Sequence, residues 1–303
     1  MNEKDIVNLK IFFVGSGKIA HSLAPEFKKY CEIIGVCDLV KERAVELSEK
    51  YKVPFYEAIS LEAIEKSNFI IIAASDDKIE EVANQIASYK TNFDKKMFLH
   101  LSGSKTSESL RIISNLGAMT ASFHIVQTFP NYERVSIKNC PCAIETDNEI
   151  FYEILKSFAR KFDLKYFRVK KENKIFYHMS AVFCSNLLCS LMKCSKESFN
   201  KAEIKEISFE ELFYSLTLKS LQNIFEYGEA GALSGPIERG DIKTISNHID
   251  VLSSNKYLRN VYITLSLIAL QIAREKNFKD EKRQMKYHEI EEYLNNLGNK
   301  NLN

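Results

Sequence analysis

Residues Lys10 to Ala20 read Lys-Ile-Phe-Phe-Val-Gly-Ser-Gly-Lys-Ile-Ala. A short apolar run ends in Gly-x-Gly-x-x-Ala and passes into an amphipathic segment, the pattern of a strand, a tight turn and a helix start. Gly15 permits the turn. Gly17 has no side chain, so a pyrophosphate can approach the backbone, and Ala20 is small enough for the helix to pack on the strand. The helix start offers free N–H groups and the positive end of a dipole to an anion. Gly15, Ser16, Gly17, Lys18 and Ile19 are therefore the expected pyrophosphate cradle.

Asp38 closes the next apolar run, Glu32 to Asp38. It follows the glycine turn at about the 20-residue separation expected of an acid that binds the adenosine ribose. A carboxylate there repels a 2′-phosphate and favours NAD. Lys41 and Arg43, just beyond it, could accept that phosphate and keep NADP open. Asp38 could instead cap the helix that follows it.

The chain has 303 residues, 45% of them hydrophobic, which suits two domains with cores of their own. A net charge of +2, from 42 basic and 40 acidic residues, gives no global field that would draw nucleic acid or an acidic membrane. The 7 cysteines include no Cys-x-x-Cys pair. Cys31, Cys37, Cys184, Cys189 and Cys194 sit in apolar stretches and read as small core residues. Cys140 and Cys142 flank Pro141 without further metal-ligand types nearby, so no metal is expected. This usage fits a reducing cytoplasm. Met1 to Asp5 shows no leader pattern. Val261 to Ala273, read as the most apolar stretch, is shorter than the roughly 20 residues that span a bilayer. A soluble, cytoplasmic protein is expected.

The first half alternates apolar runs with helical patterns. Expected strands are Ile11–Val14, Ile33–Cys37, Phe69–Ala73, Met97–Leu101, Thr120–His124, Cys142–Glu145 and Tyr166–Val169. Nearly continuous apolar strands between helices predict an α/β fold with a doubly wound, mostly parallel sheet. Ligands of such sheets bind beyond the carboxyl ends of the strands. Ser75 and Asp76, Ser102, and His124 to Thr128 stand there, with Gln127 among them. After about residue 170 strand signals stop and long helical patterns follow. The expected division is a dinucleotide-binding domain over residues 1–170 and a helical substrate and dimerisation domain over 171–303. Ile175 to Met192 is apolar nearly all round and should be buried on all sides, as in a helix packed across a homodimer interface.

That helix also carries polar groups. Lys174 and His178 lie four residues apart on one face, and Ser185 and Asn186 return near it at 3.6 residues per turn. Buried polar groups need partners, so this face could line a cofactor cleft or bond locally. Between two later helices, Gly228 to Asp241 is rich in glycine, and Arg239 within it could hold a substrate carboxylate bidentately.

Six strings in order make the resemblance specific. They are Val14-Gly-Ser-Gly-Lys-Ile-Ala20, Ala74-Ser-Asp-Asp77, His100-Leu-Ser-Gly103, His124-Ile-Val-Gln-Thr-Phe129, Lys174-x-x-Tyr-His178 with Ser185-Asn186, and Ala232-Leu-Ser-Gly-Pro-Ile-Glu-Arg-Gly-Asp241 followed by His248. The chain resembles Rossmann-like proteins provisionally termed NADP oxidoreductases that carry a C-terminal helical domain of unknown function. That family usually has His-Pro where this chain has His124-Ile125, and often an Arg where it has Asp38. More widely the chain is similar to pyrroline-5-carboxylate reductase, ketopantoate reductase and the β-hydroxyacid dehydrogenases. The resemblance implies hydride transfer between a nicotinamide cofactor and a small carbonyl, imine or hydroxy-acid substrate. It implies Lys174 or His178 as acid/base and Asn186 as orienter; the residues at the strand ends place Ser75, Asp76, Ser102 and His124 at the nicotinamide end, with Gln127 and Arg239 expected on the substrate. A non-catalytic NAD(P)-binding redox sensor uses the same glycine turn without a proton relay. A methyltransferase also uses a glycine-rich turn and an acid, but the helical second half speaks against it.

Overall fold

Residues along the first four strands alternate between two apolar layers, the period-2 signature of a sheet covered on both faces. In β1 (Lys10–Val14), Ile11 and Phe13 pack with Leu23 and Phe27 of α1 (Lys18–Phe27), while Phe12 and Val14 face the opposite layer. The computed structural model describes residues 9–299. The first eight residues, read as leaderless, and the last four lie outside them.

The chain continues through β2 (Glu32–Cys37), α2 (Lys41–Tyr51), α3 (Leu61–Lys66), β3 (Phe69–Ile72), α4 (Ile79–Ala87), β4 (Met97–His100), a 3-10 turn at Ser107–Leu110, α5 (Arg111–Ser114), β5 (Met119–Ile125), β6 (Pro141–Glu145), α6 (Glu149–Lys161) and β7 (Lys165–Arg168). The sheet order is β2-β1-β3-β4-β5-β6-β7. The β5–β6 pair is antiparallel and the others are parallel. On the outer edge of β2, Val36 forms an isolated parallel bridge with Phe55, fixed by Val36 N to Pro54 O and Tyr56 N to Val36 O. Counted as a rudimentary strand, this bridge completes the dinucleotide-binding order, whose switch point falls between β1 and β3. All seven expected strands are present.

The second half is helical: α7 (Lys174–Cys184), α8 (Asn186–Lys201), α9 (Phe209–Ala232), α10 (Pro236–Arg239), α11 (Ile242–Val251), α12 (Lys256–Lys276) and α13 (Glu281–Asn299). Two compact units divide after Leu188, not after residue 170. The reason is that Lys174 and Tyr177 of α7 bond to β5, which ties that helix to the sheet. The core of the second unit gathers Ile245 and Ile249 of α11, Ile263 and Leu270 of α12, and Tyr287, Ile290 and Leu294 of α13.

Four expectations for the stretch after residue 170 are corrected. The helix breaks at Ser185, whose φ of −125° and ψ of −75° end the α7 ladder. Within one chain its apolar residues are not buried: Phe176, Phe183 and Leu187 are exposed, and among the described side chains of α7 Lys174 is the buried one. Cys184 and Cys189 are likewise exposed and not core residues. Val261 to Ala273 is also not the most apolar stretch among the described helices. Lys171–Lys201, 31 residues with a window of mean hydropathy 1.4, has the length and composition of a membrane span.

Candidate functional site

The glycine turn is built by close approach of two strands. Gly15 has φ of +107°, and a Cβ there would lie 2.5 Å from Ala73 O. A side chain is excluded on both grounds. Gly15 N donates to Cys37 O at 2.8 Å, which ties the turn to the end of β2. Ser16 is fully buried, and its N–H and hydroxyl both donate to Asp38 Oδ2, at 2.6 and 2.8 Å. Val40 N donates to Asp38 Oδ1 at 2.9 Å. Asp38 does not cap α2, whose N-cap residue Val40 has no side-chain cap bond.

The expected five-residue cradle is thereby narrowed, because Asp38 already holds the Ser16 N–H. Gly17 is the N-cap of α1, with no side-chain cap and no acid in the first turn. A Cβ on Gly17 would meet nothing nearer than Ala73 O at 4.0 Å. The first-turn N–H groups of a helix have no intrahelical acceptors, so Gly17, Lys18 and Ile19 keep donors for an anion. The Lys18 amine is engaged elsewhere, donating to Pro130 O at 2.7 Å. His21 lies between the rings of Tyr51 and Tyr132, buried, with burial lowering its pKa.

A second cluster forms where α7 lies on the ends of β4 and β5. Lys174 is 1% exposed, and its amine donates to Ser122 Oγ, which donates in turn to Ser102 O at 3.0 Å. Burial pushes the Lys174 ammonium down to about 8, against the opposing pull of Glu145 and Asp76. One turn on, Tyr177 OH lies 2.6 Å from His124 Nδ1. Burial lowers His124 to about 4, helped by Lys174 and His178, so the ring is neutral at pH 7. The His178 ring is half-exposed and centred 6.3 Å from that of His124. The Gly103 backbone is wedged between the two: a Cβ there would lie 2.6 Å from His178 Cδ2 and 2.9 Å from His124 Nε2. His100 is a scaffold residue. Its Nδ1 accepts Ser102 N and its Nε2 faces Thr106 O at 2.9 Å, with burial lowering it to about 4.

Several expected residues have other engagements. Ser102 Oγ accepts the N–H groups of Ser104 and Lys105, so it shapes its own loop. Ser75 Oγ donates to Asp77, and Asp76 accepts Ser104 Oγ. Gln127 Oε1 accepts Thr128 N at 2.8 Å. Asn186 opens α8 beyond the break and accepts Ser185 Oγ at 2.9 Å. The break removes the helical period that would have returned it to the Lys174 face. In the second unit Arg239 is exposed, its N–H donating to Gly235 O at 3.1 Å and its side chain making no hydrogen bond or ion pair among the described residues. Beside it Glu238 is held by Arg283, and Asp241 caps α11 through Thr244 N at 3.1 Å. Sequence reading missed Ser122, Tyr177 and Glu145. The available signals were Ser122 two residues before His124 on the same strand face, and Tyr177 three after Lys174 on the same helix face.

Residues 140–297, just over half the chain, match the family described as a domain of unknown function, DUF2520. The chain belongs to the DUF2520 family. Ahead of it, residues 10–99 of this DUF2520 protein match the family described as NADP oxidoreductase, coenzyme F420-dependent. Among solved structures the chain is similar to a Bacteroides fragilis protein provisionally named an NADP oxidoreductase, at 22% identity and TM-score 0.72, covering 86% of this chain and 97% of that one. A Thermotoga maritima protein matches at 20% identity and TM-score 0.64, covering 88% and 99%. An imine reductase from Myxococcus stipitatus, in complex with NADP+, matches at 12% identity and TM-score 0.62, covering 88% and 94%. At such identities these likenesses establish the fold. No curated protein matches the chain.

Proposed function

We propose that this DUF2520 protein is an NAD(P)-dependent oxidoreductase acting on a small carbonyl, imine or hydroxy-acid substrate. The observation that carries this reading is the open, uncapped start of α1 at Gly17, beside an acid fixed at the end of β2. The residues fit the group: Gly17, Lys18 and Ile19 donate to the pyrophosphate, and Asp38 accepts the ribose hydroxyls. The Asp38 carboxylate, and the engagement of Lys41 with Glu57, support NAD over NADP. The imine reductase with NADP+ supports the nicotinamide class. When bound, the nicotinamide supplies the hydride.

The chain supplies the proton and the positioning. His178, half-exposed, is the group that exchanges a proton with substrate. Lys174 stands behind it with an ammonium acidic enough to move a proton near neutral pH. His124, neutral and braced by Tyr177, contributes a polar wall with Ser75, Asp76 and Ser102. Gln127, at the end of β5, orients substrate. Replacing His178 by Gln should lower kcat at least tenfold with NADH affinity unchanged, read by steady-state kinetics and calorimetry. Equal turnover in this variant and in Lys174→Met would remove α7 from the mechanism. The burial of Lys174 favours a second reading, a nucleotide-binding sensor without turnover. Tight NADH binding with no reaction across carbonyls and imines would select it.

The same reading includes a homodimer. Ile175, Met179 and Phe183 of α7 are exposed at four-residue steps, a stripe that needs cover. A second copy is the proposed cover. Sedimentation should show a dimer that Phe183→Glu converts to monomer. A monomeric wild type, or recovery of the protein with lipid vesicles, would refute it.

A further inference from the structure

β4, β5 and β6 run side by side, and their register sets His100, Ser122 and Glu145 in one row across the sheet. Residues paired in register project to the same face. The three are 0%, 0% and 2% exposed. A buried carboxylate needs hydrogen bonds or an opposite charge. Glu145 accepts the Ser107 N–H at 2.7 Å and the Ser107 hydroxyl at 2.8 Å, both neutral donors at the start of the 3-10 turn. The buried cation at this end of the sheet is Lys174, bonded to the middle member of the row. The carboxylates that favour the charged form of Lys174 are Glu145 and, after β3, Asp76, while Cys142 on β6 is a buried thiol that burial keeps protonated. His100 on β4 and His124 on β5 face it as neutral rings. Lys171 also feels Glu145, but it is paired with Glu108.

We propose that Glu145 is a positioning residue: its buried carboxylate, clamped by Ser107 at the end of the row, keeps the Lys174 ammonium charged and turned onto Ser122. The bearing of this on turnover rests on the oxidoreductase reading; the coupling between the two groups does not. Removing the carboxylate leaves the amine with burial and neutral neighbours, so it gives up its proton more readily.

The test follows the 13Cε resonance of Lys174 against pH in full-length protein without nucleotide or substrate, assigned by its loss in Lys174→Met. The wild-type midpoint should lie near 8. Glu145→Gln should lower it by about half a pH unit or more. Glu145→Asp keeps the charge one methylene further from the amine and should lower it by less. An unmoved or raised midpoint in the Gln variant overturns the proposal. If that variant does not fold, an unmoved midpoint in the Asp variant does so alone. In turnover the pH profile of kcat should shift with the midpoint while KM for the nucleotide holds. A midpoint that moves under an unchanged profile would sink the catalytic reading of Lys174 and leave the coupling standing.

Discussion

Replacing Lys174 by Met should stabilise the protein while removing its chemistry. Burial lowers the ammonium from 10.5 to about 8. At about 1.4 kcal/mol per pH unit, holding the proton in the folded state costs about 3 kcal/mol at pH 7. Met fills a similar volume without charge. Ser122 is not orphaned by the change, because its hydroxyl still donates to Ser102 O. A net gain of about 2–3 kcal/mol is expected at pH 7, less a few tenths for the lost bond. Urea unfolding of both proteins at pH 7 and pH 10 measures it. Between pH 8 and 10.5 the unfolded wild type holds a proton that the folded state has released, so wild-type stability climbs with pH. The gap between the proteins should therefore shrink to about 1 kcal/mol by pH 10. A Met variant less stable at pH 7, or a gap independent of pH, would refute the assignment of Lys174 as a strained buried cation.

Gly17→Ala should leave the melting temperature within a few degrees, since its Cβ meets open space, yet weaken NADH binding at least tenfold in calorimetry. Gly15→Ala, at a positive φ and against Ala73 O, should instead destabilise the fold by about 2 kcal/mol or more in urea titration. Asp38→Asn removes a charged acceptor and should cost NADH about tenfold or more in affinity while NADPH loses less; a uniform loss would remove Asp38 from cofactor choice. His100 and His124 are both lowered to about 4, so the unfolded chain takes up protons that the folded chain refuses as pH falls below 6.5. The stability they confer at neutral pH should shrink by about 2 kcal/mol for each ring at pH 5, and a urea midpoint flat from pH 7 to 5 would contradict this.

The strands, the turn at Gly15 and the acid at Asp38 were legible along the chain, because each obeys a local rule. Side-chain alternation marks a strand, a missing Cβ marks a tight turn, and a carboxylate at a strand end stands at a fixed remove from the turn. The meeting of Lys174 with Ser122, and of Tyr177 with His124, joins positions more than fifty residues apart. Strand register and the docking of α7 settle such pairs, and neither is written in spacing. The same holds for Ser16, whose N–H is taken by Asp38 only once β1 and β2 lie side by side. Helical period carried Asn186 onto the Lys174 face on paper, but a break at Ser185 cancels the count. Local chemistry thus chose the elements, and long-range packing chose which polar groups share a buried space, where exclusion of water makes their charges count.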